Sequence, residues 1–158
     1  MDGDPPDAGR AGGACGPQRG ARERIAGMRP TPHVVDASVV VPLILPAPGD
    51  DDQLGLDALI DDPDVDVFAP TIMDLEVLNV AARRRGLSED QLVRLVEALE
   101  RLTITRTDPD LDGVARWSSR GLSAYDASYA ALSAEVGGPV LTNDGGLRRA
   151  LDRDGLSR

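Results

Sequence analysis

The sequence predicts a single α/β domain, a three-layer α/β/α sandwich with a mainly parallel central sheet of four to five strands. Short apolar runs of strand length alternate along the chain with longer segments whose apolar residues recur at helical spacing. Strands that alternate with helices form parallel sheets covered by helices on both faces. A length of 158 residues suits one domain with a sizeable core.

The folded domain is expected at residues 33–158, after a disordered extension at residues 1–32. This extension is rich in Gly, Pro and Arg and has almost no periodic apolar residues, so its burial would not offset the entropy of ordering. It also lacks the apolar core of a secretory signal. The single cysteine, Cys15, excludes an intramolecular disulfide, and no apolar run is long enough to span a membrane. We therefore expect a cytoplasmic protein with no membrane partner.

The charge of the chain limits how it can bind a polyanion. Acidic residues outnumber basic ones by 27 to 17, and all the basic residues are arginines. Residues 1–28 contain as many acids as arginines, so the whole net charge of −10 lies in residues 29–158. Such a domain does not coat nucleic acid non-specifically. Binding of a nucleic acid would require a local arginine patch and a bound cation.

The first half of the domain begins with a buried strand at residues 33–36, followed by a helix at 38–45. Pro42 is compatible with that helix only near its first turn. Four aliphatic residues at helical spacing predict a short helix at 53–61, and the next apolar run predicts a second strand at 65–69.

Capping patterns define the helices that follow. Thr71 and Asp74 stand at capping-box spacing before a helix that ends at Gly86. Ser88 and Gln91 repeat this spacing before a helix whose leucines line one face. The remaining elements are a strand at 103–107, a short helix within 108–121, a helix at 124–136 after Ser123, a strand at 139–142 and a last helix at 144–153.

Four acidic residues stand out by their context. Asp36 and Asp144 each follow a strand-like apolar run, Glu76 lies among apolar residues of a helix, and Asp126 lies in the first turn of another. In a parallel sheet, the carboxyl ends of the strands and the amino ends of the following helices share one edge. We therefore expect the four carboxylates to meet in one crevice at that edge.

Carboxylates in one crevice repel each other unless a cation lies between them. At an effective dielectric constant of ~20, each pair separated by ~6 Å is unfavourable by roughly 3 kcal/mol. A divalent cation removes this repulsion, and ligands that are all oxygen favour Mg²⁺, with Mn²⁺ as the alternative. Such an ion lowers the pKa of bound water and neutralises charge on a phosphoryl group.

Three of the four acids also have a purely structural interpretation. Asp126 fits the acidic position of a capping box, and Asp144 fits a turn or a helix start. Glu76 fits an ion pair with the arginines at the end of its own helix. Asp36 resists such an interpretation, because a carboxylate among aliphatic side chains is unfavourable unless it is paired.

The acids lie within four short motifs. In chain order these are Val35-Asp36-Ala37-Ser38, Asp74-Leu75-Glu76-Val77, Tyr125-Asp126-Ala127-Ser128-Tyr129-Ala130-Ala131-Leu132 and Leu141-Thr142-Asn143-Asp144. Together, in order and spacing, they resemble the motifs of PIN-domain ribonucleases, and most closely those of VapC-type toxins of type II toxin–antitoxin systems. The resemblance covers residues 33–153.

The resemblance implies a PIN-like Mg²⁺-dependent endoribonuclease that cleaves RNA phosphodiester bonds and acts as the toxin of a toxin–antitoxin pair. Asp36, Glu76, Asp126 and Asp144 would be the catalytic and metal-binding acids, and Ser38 would support the metal site. The same resemblance implies a homodimer and two kinds of partner, an RNA substrate and a cognate antitoxin protein.

Weaker candidates for RNA contacts near the acidic edge are Arg116, Arg120, Arg148 and Asn143. Two other functions remain open. One is a catalytically silent PIN-like scaffold that only binds a partner. The other is a haloacid-dehalogenase-like phosphatase with Asp36 as nucleophile, although that family has a second Asp where this chain has Ser38, and a lysine, which this chain lacks.

Overall fold

The computed structural model describes residues 29–46 and 55–153, which form four strands and seven helices. The strands are β1 (Thr31–Val35), β2 (Val65–Ala69), β3 (Thr105–Arg106) and β4 (Val140–Leu141). The helices are α1 (Ala37–Ile44), α2 (Leu56–Ile60), α3 (Ile72–Arg84), α4 (Glu89–Arg101), α5 (Leu111–Ser118), α6 (Ala124–Val136) and α7 (Gly145–Asp152). The predicted α/β class is confirmed.

The sheet is parallel throughout, with strand order β3-β2-β1-β4. Val34 in β1 lies opposite Phe68 of β2 on one side and Val140 of β4 on the other. The order of the chain across the sheet therefore reverses between β1 and β4. Open parallel sheets bind ligands beyond the carboxyl ends of the strands at such a point.

The core lies on both faces of the central strands. Val34 and Val35 of β1 and Val140 of β4 have no exposed surface. On one side α1 contacts α2, α3 and α4, whereas α6 contacts β1, β4 and α5. Because helices cover both faces, the last three residues of β1, His33, Val34 and Val35, are all buried and do not alternate between buried and exposed. Within the described segments, no helix combines the length and the apolar character that crossing a membrane requires.

Most element boundaries agree with the sequence prediction, and the exceptions have a cause in strand pairing. β2 and α6 have the predicted bounds. Thr31 pairs with Val65, so β1 begins two residues before the predicted start of the domain. β3 and β4 are each two residues long, shorter than predicted, because pairing with the neighbouring strand is limited to two positions. Of the extension predicted at residues 1–32, residues 1–28 lie outside the described residues, whereas Thr31 and Pro32 belong to β1 and not to a disordered segment. The predicted start of the helix at 53–61 also lies outside the described residues.

The two predicted capping boxes have different outcomes. Ser88 and Gln91 form the predicted box at the start of α4. The predicted box of Thr71 and Asp74 is wrong, because the side chain of Thr71 makes no capping bond in α3. Its hydroxyl and its backbone N–H instead donate to the carboxylate of Asp108, each at 2.8 Å. A distant loop residue therefore fixes the start of α3.

Arg106 in β3 joins α3 to the end of α4. Its guanidinium donates to both carboxylate oxygens of Asp74, at 3.2 and 3.3 Å. It also donates to the carbonyl oxygens of Leu99, Leu102 and Ile104. The carbonyls of Leu99 and Leu102 already accept from backbone N–H groups, so Arg106 adds a second donor to each of them at the end of α4.

Candidate active site

Asp36 is the buried acid at the centre of the site. It follows β1 directly and is 8% exposed. Its Oδ2 accepts hydrogen bonds from the hydroxyls of Ser38 and Thr142, each at 2.6 Å. Burial raises the pKa of Asp36, the charge of Asp126 adds to the rise, and the two hydroxyls oppose it. Because Thr142 follows β4, this contact spans the point at which the strand order reverses.

Glu76 faces Asp36 from the neighbouring helix α3. Its Oε2 accepts a hydrogen bond from the hydroxyl of Tyr129 in α6. Burial is the largest cause of the raised pKa of Glu76, the Tyr129 hydroxyl opposes it, and the charges of Asp36 and Asp126 add to it. The hydrogen-bond partner of Glu76 is therefore a tyrosine of another helix, and the alternative interpretation, an ion pair with an arginine of its own helix, is wrong.

Tyr129 is buried behind these acids, with 1% of its surface exposed. Burial raises the pKa of Tyr129 far above its usual range, and the charges of Asp36 and Glu76 raise it further. The phenol is therefore protonated at any physiological pH and acts as a hydrogen-bond donor.

Asp126 combines a capping role with a place among the acids. Its backbone N–H donates to Ser123 Oγ at 3.1 Å, and its Oδ2 accepts from the same hydroxyl at 2.8 Å. Ser123 thus caps α6, but the carboxylate of Asp126 accepts from the Ser123 hydroxyl and not from its backbone N–H, so the two residues form only half of the predicted capping box. The charge of Asp126 nevertheless raises the pKa of both Asp36 and Glu76. Asp126 therefore takes part in the start of α6 and also adds its charge to the group of acids.

Asp144 is placed differently from the other three acids. Its Oδ1 accepts from the backbone N–H groups of Gly146 and Leu147, each at 2.7 Å, and so caps α7. Its own N–H donates to Thr142 Oγ1 at 2.9 Å, which links it to Asp36 through one side chain. The structure brings three of the four acids within electrostatic range of each other and engages the fourth as a helix cap.

Asn143 fastens α1 to the end of β4. Pro42 has no N–H, so the carbonyl of Ser38, four residues earlier, loses its helical partner. The Nδ2 of Asn143 donates to that carbonyl at 3.1 Å, and the N–H of Asn143 donates to Ser38 Oγ at 2.8 Å. Pro42 lies inside α1, in the second turn, contrary to the prediction that it must lie near the first. The amide of Asn143 makes this position tolerable.

The three arginine candidates for RNA contacts have different surroundings. Arg148 is half-buried and donates to the carbonyl of Thr142 at the end of β4. The guanidinium of Arg120 lies over the ring of Trp117, at 4.6 Å from its centroid. Arg116 is exposed in the last turn of α5. Arg148 therefore supports the backbone, whereas Arg116 is oriented to solvent.

The donor atoms of the site suit a hydrated divalent cation. Within residues 29–46 and 55–153, no three His, Cys, Asp or Glu side chains are grouped closely enough to hold a metal ion between them. Mg²⁺ rarely uses such a cage, because it binds through one or two carboxylates and keeps several water molecules. Asp36, Glu76 and Asp126 supply hard oxygen donors, and their mutual repulsion favours a cation. The residues present therefore fit Mg²⁺ bound partly through water.

Sequence reasoning gave no role to Thr142 or Tyr129. Thr142 is the last residue of the strand predicted at 139–142, next to Asn143, which was already a candidate. Tyr129 stands three residues after Asp126, and residues three apart share a helix face. These placements are the signals by which both residues could have been found.

A shallow apolar groove lies between α3 and α4, away from the carboxylates. Its volume is about 510 Å³, and its lining consists of Leu78, Asn79, Ala82, Glu89, Leu92, Val93 and Val96. Val93 is 55% exposed, and Leu75, one turn before the groove on α3, is 61% exposed. Exposed apolar side chains at this density are typical of a protein-binding surface.

Comparison with known proteins gives a family and a fold. Residues 33–151 match the sequence model of the PIN domain. No curated protein matches the chain. The crystal structure of PAE2754 from Pyrobaculum aerophilum is similar, with 24% identity and a TM-score of 0.57, over 78% of this chain and 87% of that one. VapC20 from Mycobacterium tuberculosis, described as a toxin that cleaves the sarcin-ricin loop, has 16% identity and a TM-score of 0.58, over 75% and 94%.

Proposed function

Because the chain belongs to the PIN-domain family, whose members are typically nucleases, we propose that it is a Mg²⁺-dependent endoribonuclease and the toxin of a toxin–antitoxin pair. Membership of this family argues against the alternative function, a haloacid-dehalogenase-like phosphatase. The fold likeness to VapC20 supports the toxin assignment.

One observation carries the proposal. Asp36, Glu76 and Asp126 come from three separate segments of the chain and repel one another at the edge of the sheet where ligands bind. No arginine is among the groups that shift the pKa of Asp36 or Glu76. A divalent cation stabilises an acidic cleft of this kind and supplies the positive charge that a negatively charged substrate needs in order to bind there.

The proposed metal ligands are Asp36, Glu76, Asp126 and Asp144, with Ser38 as support. A bound Mg²⁺ or Mn²⁺ would neutralise charge on the phosphodiester and lower the pKa of an attacking water. The products would be a 5′-phosphate and a 3′-hydroxyl.

Hydrogen bonds from neighbouring side chains orient the acids for this role. The hydroxyls of Ser38 and Thr142 hold Asp36 Oδ2 in one orientation. Asp144 would have to release at least part of its contact with the start of α7 to take part. The proposed RNA contacts are Arg116, Arg120, Arg148 and Asn143. Arg116 is the first to test, because it is exposed.

The groove between α3 and α4 is the surface that we assign to the antitoxin. Its lining is mostly aliphatic, which suits the apolar face of an amphipathic helix. A homodimer remains a prediction from the family resemblance, and a cytoplasmic location remains a prediction from the sequence.

A cleavage assay with matched variants tests the proposal. We expect the wild-type protein to cut single-stranded RNA with Mg²⁺ and to stop when EDTA is added. Asp126→Asn should lower the rate by about 100-fold or more, since several kcal/mol of charge stabilisation is lost. Asp112→Asn, an exposed acid on α5, makes the same change of charge and should cleave normally.

Two results would contradict the proposal in different ways. Normal cleavage by Asp126→Asn would remove that residue from the site. If the wild-type protein binds an antitoxin but cuts no RNA under any divalent ion, the protein is the silent scaffold instead.

A further inference from the structure

Tyr129 links α6 and α3, the two helices that carry Asp126 and Glu76. Its ring is buried in α6, and its hydroxyl donates to Glu76 Oε2 of α3. The charge of Asp36 also raises the pKa of Tyr129, as expected if the two groups lie near each other. The hydroxyl therefore ties the side chain of Glu76 to α6, the helix that also carries Asp126.

The hydroxyl is not needed to fill the core, since a phenylalanine ring has nearly the same shape. A buried polar group is unfavourable unless it is hydrogen-bonded, so a tyrosine here needs a partner. Glu76 is partly exposed and has flexible side-chain torsions. Repulsion from Asp36 and Asp126 would turn its carboxylate towards water. The bond from Tyr129 opposes that movement.

We propose that Tyr129 is a positioning residue for a divalent cation, because its hydroxyl holds the carboxylate of Glu76 opposite Asp36 before the ion arrives. This inference rests on the proposed function, since it assumes that a cation binds these acids. Groups that orient metal ligands typically change metal affinity by about 10- to 100-fold when they are removed.

The direct test is Mn²⁺ binding to Tyr129→Phe, measured from the electron paramagnetic resonance signal of free Mn²⁺. We expect the Kd to rise by about 10- to 100-fold. The matched control is Tyr125→Phe, which removes the same atom from the same helix at a position 60% exposed. Its Kd should equal that of the wild type. Equal Kd values for Tyr129→Phe and the wild type would overturn the inference.

A double-mutant cycle separates positioning from a general effect on the fold. If Tyr129 acts through Glu76, then Tyr129→Phe in a Glu76→Gln background should change the Kd for Mn²⁺ by less than about twofold. A loss of affinity as large as in the wild-type background would show that Tyr129 acts through packing alone.

A spectroscopic measurement avoids the Tyr129 substitution altogether. The chain has two tyrosines, so in the Tyr125→Phe protein the tyrosine absorption comes from Tyr129 alone. Adding Mg²⁺ should change its near-ultraviolet difference spectrum, and Glu76→Gln should remove that change. A spectrum that does not respond to Mg²⁺, in a protein that binds the ion, would contradict the inference.

These outcomes also distinguish this inference from the proposed function. If the wild-type protein binds no Mn²⁺ and cuts no RNA, the proposed metal site is wrong, and so is the inference about Tyr129. A wild-type protein that binds Mn²⁺ and whose affinity is independent of Tyr129 keeps the metal site but not the positioning role.

Discussion

The hydrogen bond from Asn143 to the Ser38 carbonyl in α1 leads to a quantitative prediction about stability. Asn143→Ala removes the amide that donates to the Ser38 carbonyl at 3.1 Å and leaves the backbone N–H of Asn143 in place. A hydrogen bond contributes about 0.5–1.5 kcal/mol, and Ser38 is only half-buried. We therefore expect the free energy of unfolding to fall by about 1 kcal/mol.

The explanation through Pro42 is tested by restoring the missing N–H. In a Pro42→Ala background the new N–H can donate to the Ser38 carbonyl, so Asn143→Ala should lower stability by a few tenths of a kcal/mol. The assay is urea unfolding at pH 7 in EDTA, with exposed Asn79→Ala as the control. An equal loss in both backgrounds, or no loss in either, would refute the reasoning.

Three further predictions concern the groups around the acids. Thr142→Val should lower the free energy of unfolding by about 2 kcal/mol at pH 7, because a buried hydroxyl bonded to the carboxylate of Asp36 is lost; a urea midpoint equal to that of the wild type would contradict this. Arg106→Lys should lower it by about 1–3 kcal/mol, since a lysine cannot make the two-point contact with Asp74 and reach three carbonyls; a Tm unchanged within error would count against it. Raised carboxyl pKa values mean that the folded state keeps its protons to higher pH than the unfolded state, so stability falls as pH rises from about 4 through the raised values. In EDTA, Glu76→Gln should have a flatter Tm–pH profile over this range, and an identical profile would exclude Glu76 from this effect.

Helix starts that depend on residues close together in the sequence could be predicted from the sequence alone. The capping of α6 by Ser123 and that of α4 by Ser88 involve residues three apart, so their spacing is visible in the sequence. The importance of Asp36 could also be predicted from the sequence, because a carboxylate at the end of a buried strand needs a partner.

Contacts between distant segments could not be predicted in this way. Asp74 has capping spacing from Thr71, yet its partner is Arg106, 32 residues away. Tyr129 meets Glu76 across 53 residues, and that contact depends on how α3 and α6 pack on the sheet. Pairing across the sheet likewise set the lengths of β1, β3 and β4.

The most direct measurement is the thermal unfolding of the wild type and Asp126→Asn with and without Mg²⁺. Without metal, the variant should be no less stable than the wild type, because one of three repelling charges is gone. At Mg²⁺ concentrations about 100 times the Kd, binding stabilises the folded wild type by ~2.7 kcal/mol and raises its Tm. We predict a much smaller rise for the variant. The same rise in both proteins would show that these acids do not share a cation.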